Sequence, residues 1–241
     1  MNLKLSVIVP AYNEATFIYK ILLRIHEVKL LHNIQQEIVV VDDHSTDDTG
    51  AEVQLFREHY PAAQLSYIRH DRNRGKGAAL RTGISAASGD FIVIQDADLE
   101  YDPEEFNLLL APALAGKADV VYGSRFRGHQ PHRILFFWHT IGNKFLTFIS
   151  NMCTNLNLTD METCYKLFSS KVIKGVQLKE NRFGFEPEVT AKISRIPGIR
   201  IYEVGISYYG RTYREGKKIN YKDGFRAIYC ILKYNLFKRA S

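Results

Sequence analysis

No stretch of these 241 residues is apolar for long enough to cross a membrane. The nearest candidate, Ile134 to Ile149, is broken by His139, Asn143 and Lys144 and falls short of the ~18 uninterrupted apolar residues a spanning helix needs. Cysteine is scarce: Cys153, Cys164 and Cys230 are scattered without ligand-like spacing. Their odd number argues against a disulfide framework and for a reducing, cytosolic setting with three buried thiols. Met1 to Lys4 runs straight into an apolar strand, so no secretory leader is expected. There is no internal repeat, no low-complexity segment and no Gly-Lys-Ser/Thr ending that would make a P-loop. Nucleic acid is not an expected partner, because no recognition motif is present and the basic residues do not form a broad interleaved face.

What is present is an ordinary globular composition, 46% hydrophobic and 24% charged, long enough for one large domain with a sizeable core. The excess charge is local. From Arg211 to Arg239 there are nine Lys and Arg against Glu215 and Asp223, a net of +7 that exceeds the +6 of the whole chain. Such a segment suits phosphates or an anionic membrane surface.

Short apolar runs at Leu5–Val9, Glu37–Val41, Leu65–Ile68, Phe91–Ile94 and Val120–Tyr122 alternate with helical patterns at 15–31, 47–59, 77–87 and 103–115. Strands this continuous in apolar content belong to a parallel sheet covered on both faces, so an α/β, doubly wound fold is predicted. In such sheets ligands bind beyond the carboxyl ends of the strands. The second half adds a strand near 165–168, a helix at 186–195, a strand pair near 199–204 and 206–209, and a last helix at 223–237. Arg133 to Met152 reads as a helix apolar over much more than one stripe, and core packing is the reading preferred for it over a membrane interface. The two halves, 1–128 and 129–241, are read as one continuous domain.

The chemistry gathers at strand ends. Phe91 to Ile94 delivers Asp96 and Asp98, one residue apart and on the same side of an extended chain, where two hard oxygen donors suit Mg²⁺ or Mn²⁺. Pro10 stops the first strand, and Asn13 is placed to cap the helix after it. Asp42 ends the second strand as an acceptor-only carboxylate that suits a nucleobase imide or a ribose hydroxyl. Asn73-Arg74-Gly75-Lys76-Gly77 precedes a helix N-terminus and would contact phosphate, with Lys76 as its cation. Arg125 adds a cation after the fifth strand.

These motifs together resemble the family 2 glycosyltransferases, with their nucleotide-sugar-binding fold of the glycosyltransferase A type. The matches are Val9-Pro10-Ala11-Tyr12-Asn13-Glu14, Val41 to Thr49, Asn73 to Gly77, Asp96 to Glu104 and Gly123-Ser124-Arg125. Asp160 to Phe168 and Arg182 to Glu188 make the chain similar, within that family, to the dolichyl- or polyprenyl-phosphate sugar synthases. The resemblance implies roles. Pro10, Tyr12 and Glu14 line the nucleotide and Asp42 meets the base. Asp96 and Asp98 hold a metal on the diphosphate, with Glu100 as a further ligand although many relatives carry Gln there. Arg125 neutralises phosphate, and Asp160 marks the acceptor side. Arg211 to Lys218, with Arg211 and Lys217, is the basic loop over donor or acceptor phosphate.

The implied reaction is inverting, metal-dependent transfer from a nucleotide-diphosphate sugar to a polyprenyl or dolichyl phosphate. UDP-glucose is the preferred donor over GDP-mannose. The enzyme would sit peripherally at the cytoplasmic face of a membrane, on the lipid surface or a membrane partner subunit. Three alternatives stand beside it. A hydroxyl or glycan acceptor would need Asp160 or Glu162 as base. A nucleotide-sugar-binding protein would lack turnover. A sugar-1-phosphate nucleotidyltransferase would need a glycine-rich loop where Pro10-Ala11-Tyr12-Asn13 stands.

Overall fold

The computed structural model describes residues 3–128, 131–134, 136–212 and 221–236. Seven strands form one sheet: β1 (Lys4–Ala11), β2 (Gln35–Asp42), β3 (Leu65–Arg69), β4 (Phe91–Ile94), β5 (Val120–Ser124), β6 (Lys166–Ser169) and β7 (Ile201–Gly205). Their order is β3-β2-β1-β4-β6-β5-β7. All neighbouring pairs are parallel except those of β6, which runs antiparallel between β4 and β5. The sheet is therefore mixed and mainly parallel, as the alternating strand and helix pattern implied. β6 comes from the second half of the chain yet fills the centre of the sheet, so both halves share one core.

The helices are α1 (Ile18–Glu27), α2 (Thr49–His59), α3 (Lys76–Ala86), α4 (Phe106–Leu114), α5 (Phe137–Thr154), α6 (Ser170–Gly175), α7 (Phe185–Ile193) and α8 (Tyr221–Leu236). The first three strands step outward from β1 to β3, and β4 then returns to the other side of β1. That reversal opens a crevice beyond the carboxyl ends of β1, β2 and β4. Register carries Ala11 opposite Asp42 and Ile8 opposite Ile94, so Pro10, Asp42 and Asp96 all reach the same edge.

Three local expectations are corrected. Ile206–Tyr209 is not a paired strand; Tyr208 makes an isolated bridge to His132. Its backbone donors are taken elsewhere, Ser207 N–H by Glu105 at 2.8 Å and Tyr209 N–H by the Glu100 carbonyl at 2.9 Å. Asn13 does not cap α1, which begins only at Ile18. It adopts φ 52° and its side-chain oxygen accepts from Thr46 N–H at 2.8 Å, stitching the β1 loop to the β2 loop.

The third correction concerns α5, which is not packed on all sides. Its buried residues are Thr147 and Ser150, while Phe137, Trp138, Ile141, Phe145, Phe148 and Met152 are exposed. Leu146, Ile149 and Cys153 pack partly buried against the core, and the polar residues among them hold the loop that follows. Thr147 accepts from Met161 N–H at 3.1 Å, and Asn151 exchanges two hydrogen bonds with Leu158 at 2.8 and 3.1 Å. No helix among the described residues is long and apolar enough to cross a membrane.

Candidate active site

Strand alternation decides which carboxylates meet. Asp42 and Asp43 are consecutive at the end of β2 and point to opposite faces of the sheet. Asp42 turns toward β3, where it accepts from Ser45 N–H at 2.7 Å and Tyr67 OH at 2.6 Å, with Arg69 at 3.7 Å. It lines a separate cleft with residues of α2. Asp43 turns the other way, into a pocket shared with Pro10, Ala11, Glu14, Lys76, Asp96, Asp98, Glu100, Phe183 and Arg211. Asp42, expected to meet the base, thus lines a neighbouring cleft, while Asp43 lines the one that holds the other site residues. Tyr12, 40% exposed, does not line that pocket, and Lys217 lies outside the described residues.

Asp43 organises the loop before α3. It accepts from Gly75 N–H at 2.6 Å, Arg74 N–H at 2.8 Å and the His70 ring at 2.7 Å. Gly75 holds φ 95°, a left-handed turn that suits glycine. The next residue, Lys76, is aimed into the pocket, 2.7 Å from Asp96 and 3.8 Å from Glu186. Burial raises the Asp96 carboxyl, but the Lys76 ammonium outweighs it and holds the group below its ordinary range.

Asp98 is the opposite case. Burial first, then the negative charges of Asp96 and Glu100, push its carboxyl up to about 7 despite Arg211 at 2.6 Å. Glu100 is occupied on both oxygens: Oε1 accepts from the Arg211 backbone at 2.8 Å, and Oε2 from Tyr208 OH at 2.9 Å. It works as a latch for residues 208–211. Among the described residues no three acidic, His or Cys side chains already converge as a metal-holding set. The pair nevertheless fits Mg²⁺ or Mn²⁺. Its donors are hard oxygens, and crowded like charge that raises Asp98 is what a divalent cation relieves.

Beside this pocket lies a second cluster, joined to it by Tyr208, whose ring stacks 5.2 Å from the Arg125 guanidinium. Asp160 is fully buried and grips Arg125 through two hydrogen bonds of 2.6 and 2.8 Å. The Arg125 backbone N–H adds a third donor at 3.1 Å and Asn143 of α5 a fourth at 3.4 Å. Glu162 is different: its buried Oε1 finds no hydrogen-bond partner among the described residues. Burial, then the charge of Glu186, pushes its carboxyl up to about 8.

The structure thus brings Pro10, Glu14, Lys76, Asp96, Asp98, Glu100 and Arg211 together, with Arg125, Asp160 and Glu162 alongside. Sequence reasoning did not single out Asp43 or Tyr208. For Asp43 the signal was available in the two-residue period of β2, once the ligand-bearing face is known. Tyr208 offered none, since its role depends on a loop meeting Glu100 across 108 residues.

Residues 6–176 match the model for glycosyl transferase family 2. The dolichol-phosphate mannosyltransferase of Pyrococcus furiosus is 29% identical over 238 residues, covering 96% of this chain and 64% of that protein. The UDP-N-acetylglucosamine–dolichyl-phosphate N-acetylglucosaminyltransferase of Methanococcus voltae is 26% identical, covering 96% of each. Among solved structures, glucosyl-3-phosphoglycerate synthase from Mycobacterium tuberculosis, crystallised with Mn²⁺, UDP and glucosyl-3-phosphoglycerate, superposes with a TM-score of 0.73. It is 19% identical and covers 97% of this chain and 80% of its own.

Proposed function

The chain belongs to glycosyl transferase family 2, and on that premise we propose that it moves a hexose from a nucleotide-diphosphate donor to a polyprenyl phosphate at the cytoplasmic surface of a membrane. UDP-glucose is the first donor to test and GDP-mannose the second. The observation that carries the acceptor is the state of the two candidate bases. Asp160 has both oxygens committed to Arg125. Glu162, pushed up to about 8, is mostly protonated near neutral pH, so only a minor fraction of it is ionised to serve a hydroxyl as base there. A phosphate is already ionised and needs a cation rather than a base. Arg125, fixed by Asp160 and Tyr208, supplies one.

Each residue then has a task. Asp96 and Asp98 would hold the divalent ion, which neutralises charge on the departing diphosphate. Lys76 and Arg211 place further positive charge at the same edge. Arg125 orients the acceptor phosphate for attack opposite the leaving group, which inverts the anomeric centre. The exposed aromatic stripe of α5 faces the lipid, and Asn143 on the same helix reaches Asp160.

Glu162→Gln tests the acceptor. Transfer to polyprenyl phosphate is expected to fall less than tenfold, whereas removing a working general base costs about 10²–10⁴-fold. A loss of that larger size would favour the hydroxyl-acceptor reading. The same variant carries a pH signature. A carboxyl raised from 4.5 to about 8 on folding contributes stability below the unfolded value that is lost as pH rises toward the folded one. The melting temperature of Glu162→Gln should therefore gain on wild type between pH 4.5 and 8.

A further inference from the structure

We propose that Arg211 and the divalent cation compete for the same carboxylate oxygens, so that this one guanidinium sets how tightly the free site takes up metal and makes uptake depend on the nucleotide. The inference rests on Asp96 and Asp98 as the metal-holding pair. Its basis is the number of acidic groups that converge on a single side chain. Arg211 Nη2 lies 2.6 Å from Asp98 Oδ2, Nε 3.4 Å from Glu100 Oε1 and Nη1 3.8 Å from Glu14 Oε2. The guanidinium also sits 5.4 Å from the Phe17 ring, and the residue is mostly buried.

Two cations that draw on one carboxylate oxygen repel each other, so each weakens the other's hold. Lys76 draws on the other carboxylate of the pair, Asp96, from α3, and Arg211 is the cation at Asp98. Arg211 is also tethered. Its own N–H and that of Tyr209 are bonded to Glu100, so a guanidinium that leaves Asp98 stays at the pocket. A planar fork released there is matched to diphosphate oxygens. Nucleoside diphosphate therefore draws Arg211 off the carboxylates and favours metal binding, and by linkage the metal favours the nucleotide by the same factor.

The test is Mn²⁺ binding to the intact chain, read by electron paramagnetic resonance without any turnover. Wild type, Arg211→Met, Arg211→Lys and Asp98→Asn are titrated with and without UDP or GDP. Arg211→Met is expected to bind Mn²⁺ alone about tenfold more tightly than wild type and to lose most of the enhancement given by the nucleotide. Arg211→Lys, which keeps the charge, should stay closer to wild type in both respects. A structural role alone predicts the reverse, since damage to the pocket would weaken Mn²⁺ binding in the Met variant. Equal or weaker Mn²⁺ binding by Arg211→Met, with Asp98→Asn abolishing it, overturns the competition and leaves the metal reading standing. If Asp98→Asn binds Mn²⁺ as well as wild type, the metal reading itself falls and the competition falls with it.

Discussion

Asp98→Asn is expected to cut sugar transfer by about a thousandfold or more while the protein melts within a few degrees of wild type. The two effects separate because the carboxylate is poorly placed for stability. Burial and the charges of Asp96 and Glu100 hold it up at about 7, so its negative form is costly in the fold and Arg211 offsets only part of that cost. Neutralising the side chain removes repulsion from Asp96 and Glu100 and gives up one ion pair with Arg211. For catalysis nothing compensates, since the amide no longer supplies charged oxygen to the ion or a counter-charge to Arg211. Circular dichroism melts beside a transfer assay check the pair of outcomes, and retained full activity would remove Asp98 from the metal role.

The second large effect lies on the surface. Trp138, Phe145 and Phe148 are 78, 53 and 60% exposed along one side of α5, and no acidic residue occurs between Arg133 and Met152. Burying a large apolar side chain is worth about 1.5–3 kcal/mol, so three of them contribute enough to shift partitioning onto a bilayer by roughly 10³-fold. The triple change Trp138→Ser, Phe145→Ser, Phe148→Ser is expected to abolish co-sedimentation with vesicles containing anionic lipid. Transfer to a long-chain polyprenyl phosphate in those vesicles should fall with it. Transfer to a short, water-soluble prenyl phosphate should not, because none of the three residues touches the pocket. Unchanged vesicle binding would mean that this stripe is not the docking face.

Particular residues show where sequence reading succeeds here and where it stops. The strands β1, β2, β4 and β5 were legible because each is a short apolar run that must be covered on both faces, and the motifs at their ends share an edge by topology alone. Asp96 and Asp98 were legible from spacing. The choice between Asp42 and Asp43 was not, because it depends on which face of β2 carries α3 and hence Lys76. The α5 stripe misled in the other direction: hydrophobicity measured its apolar surface but not that Thr147, Ser150 and Asn151 would turn inward beside Leu146 and Ile149 while the larger aromatics stay exposed. Those polar groups face in because the 158–161 loop needs hydrogen-bond partners, a demand set by tertiary contact. The pairing of Arg211 with Asp98, Glu100 and Glu14 likewise spans more than 110 residues and leaves no local trace.

The most direct test of the proposed activity is to incubate the protein with Mn²⁺, a polyprenyl phosphate and either UDP-glucose or GDP-mannose, and to identify the lipid product by mass spectrometry and its anomer by NMR. A single hexose joined to the lipid phosphate, with anomeric configuration opposite to the donor and release of one nucleoside diphosphate, is the predicted result. Donor consumed without a sugar-phosphate lipid, or a glycoside formed on a hydroxyl acceptor instead, would contradict it.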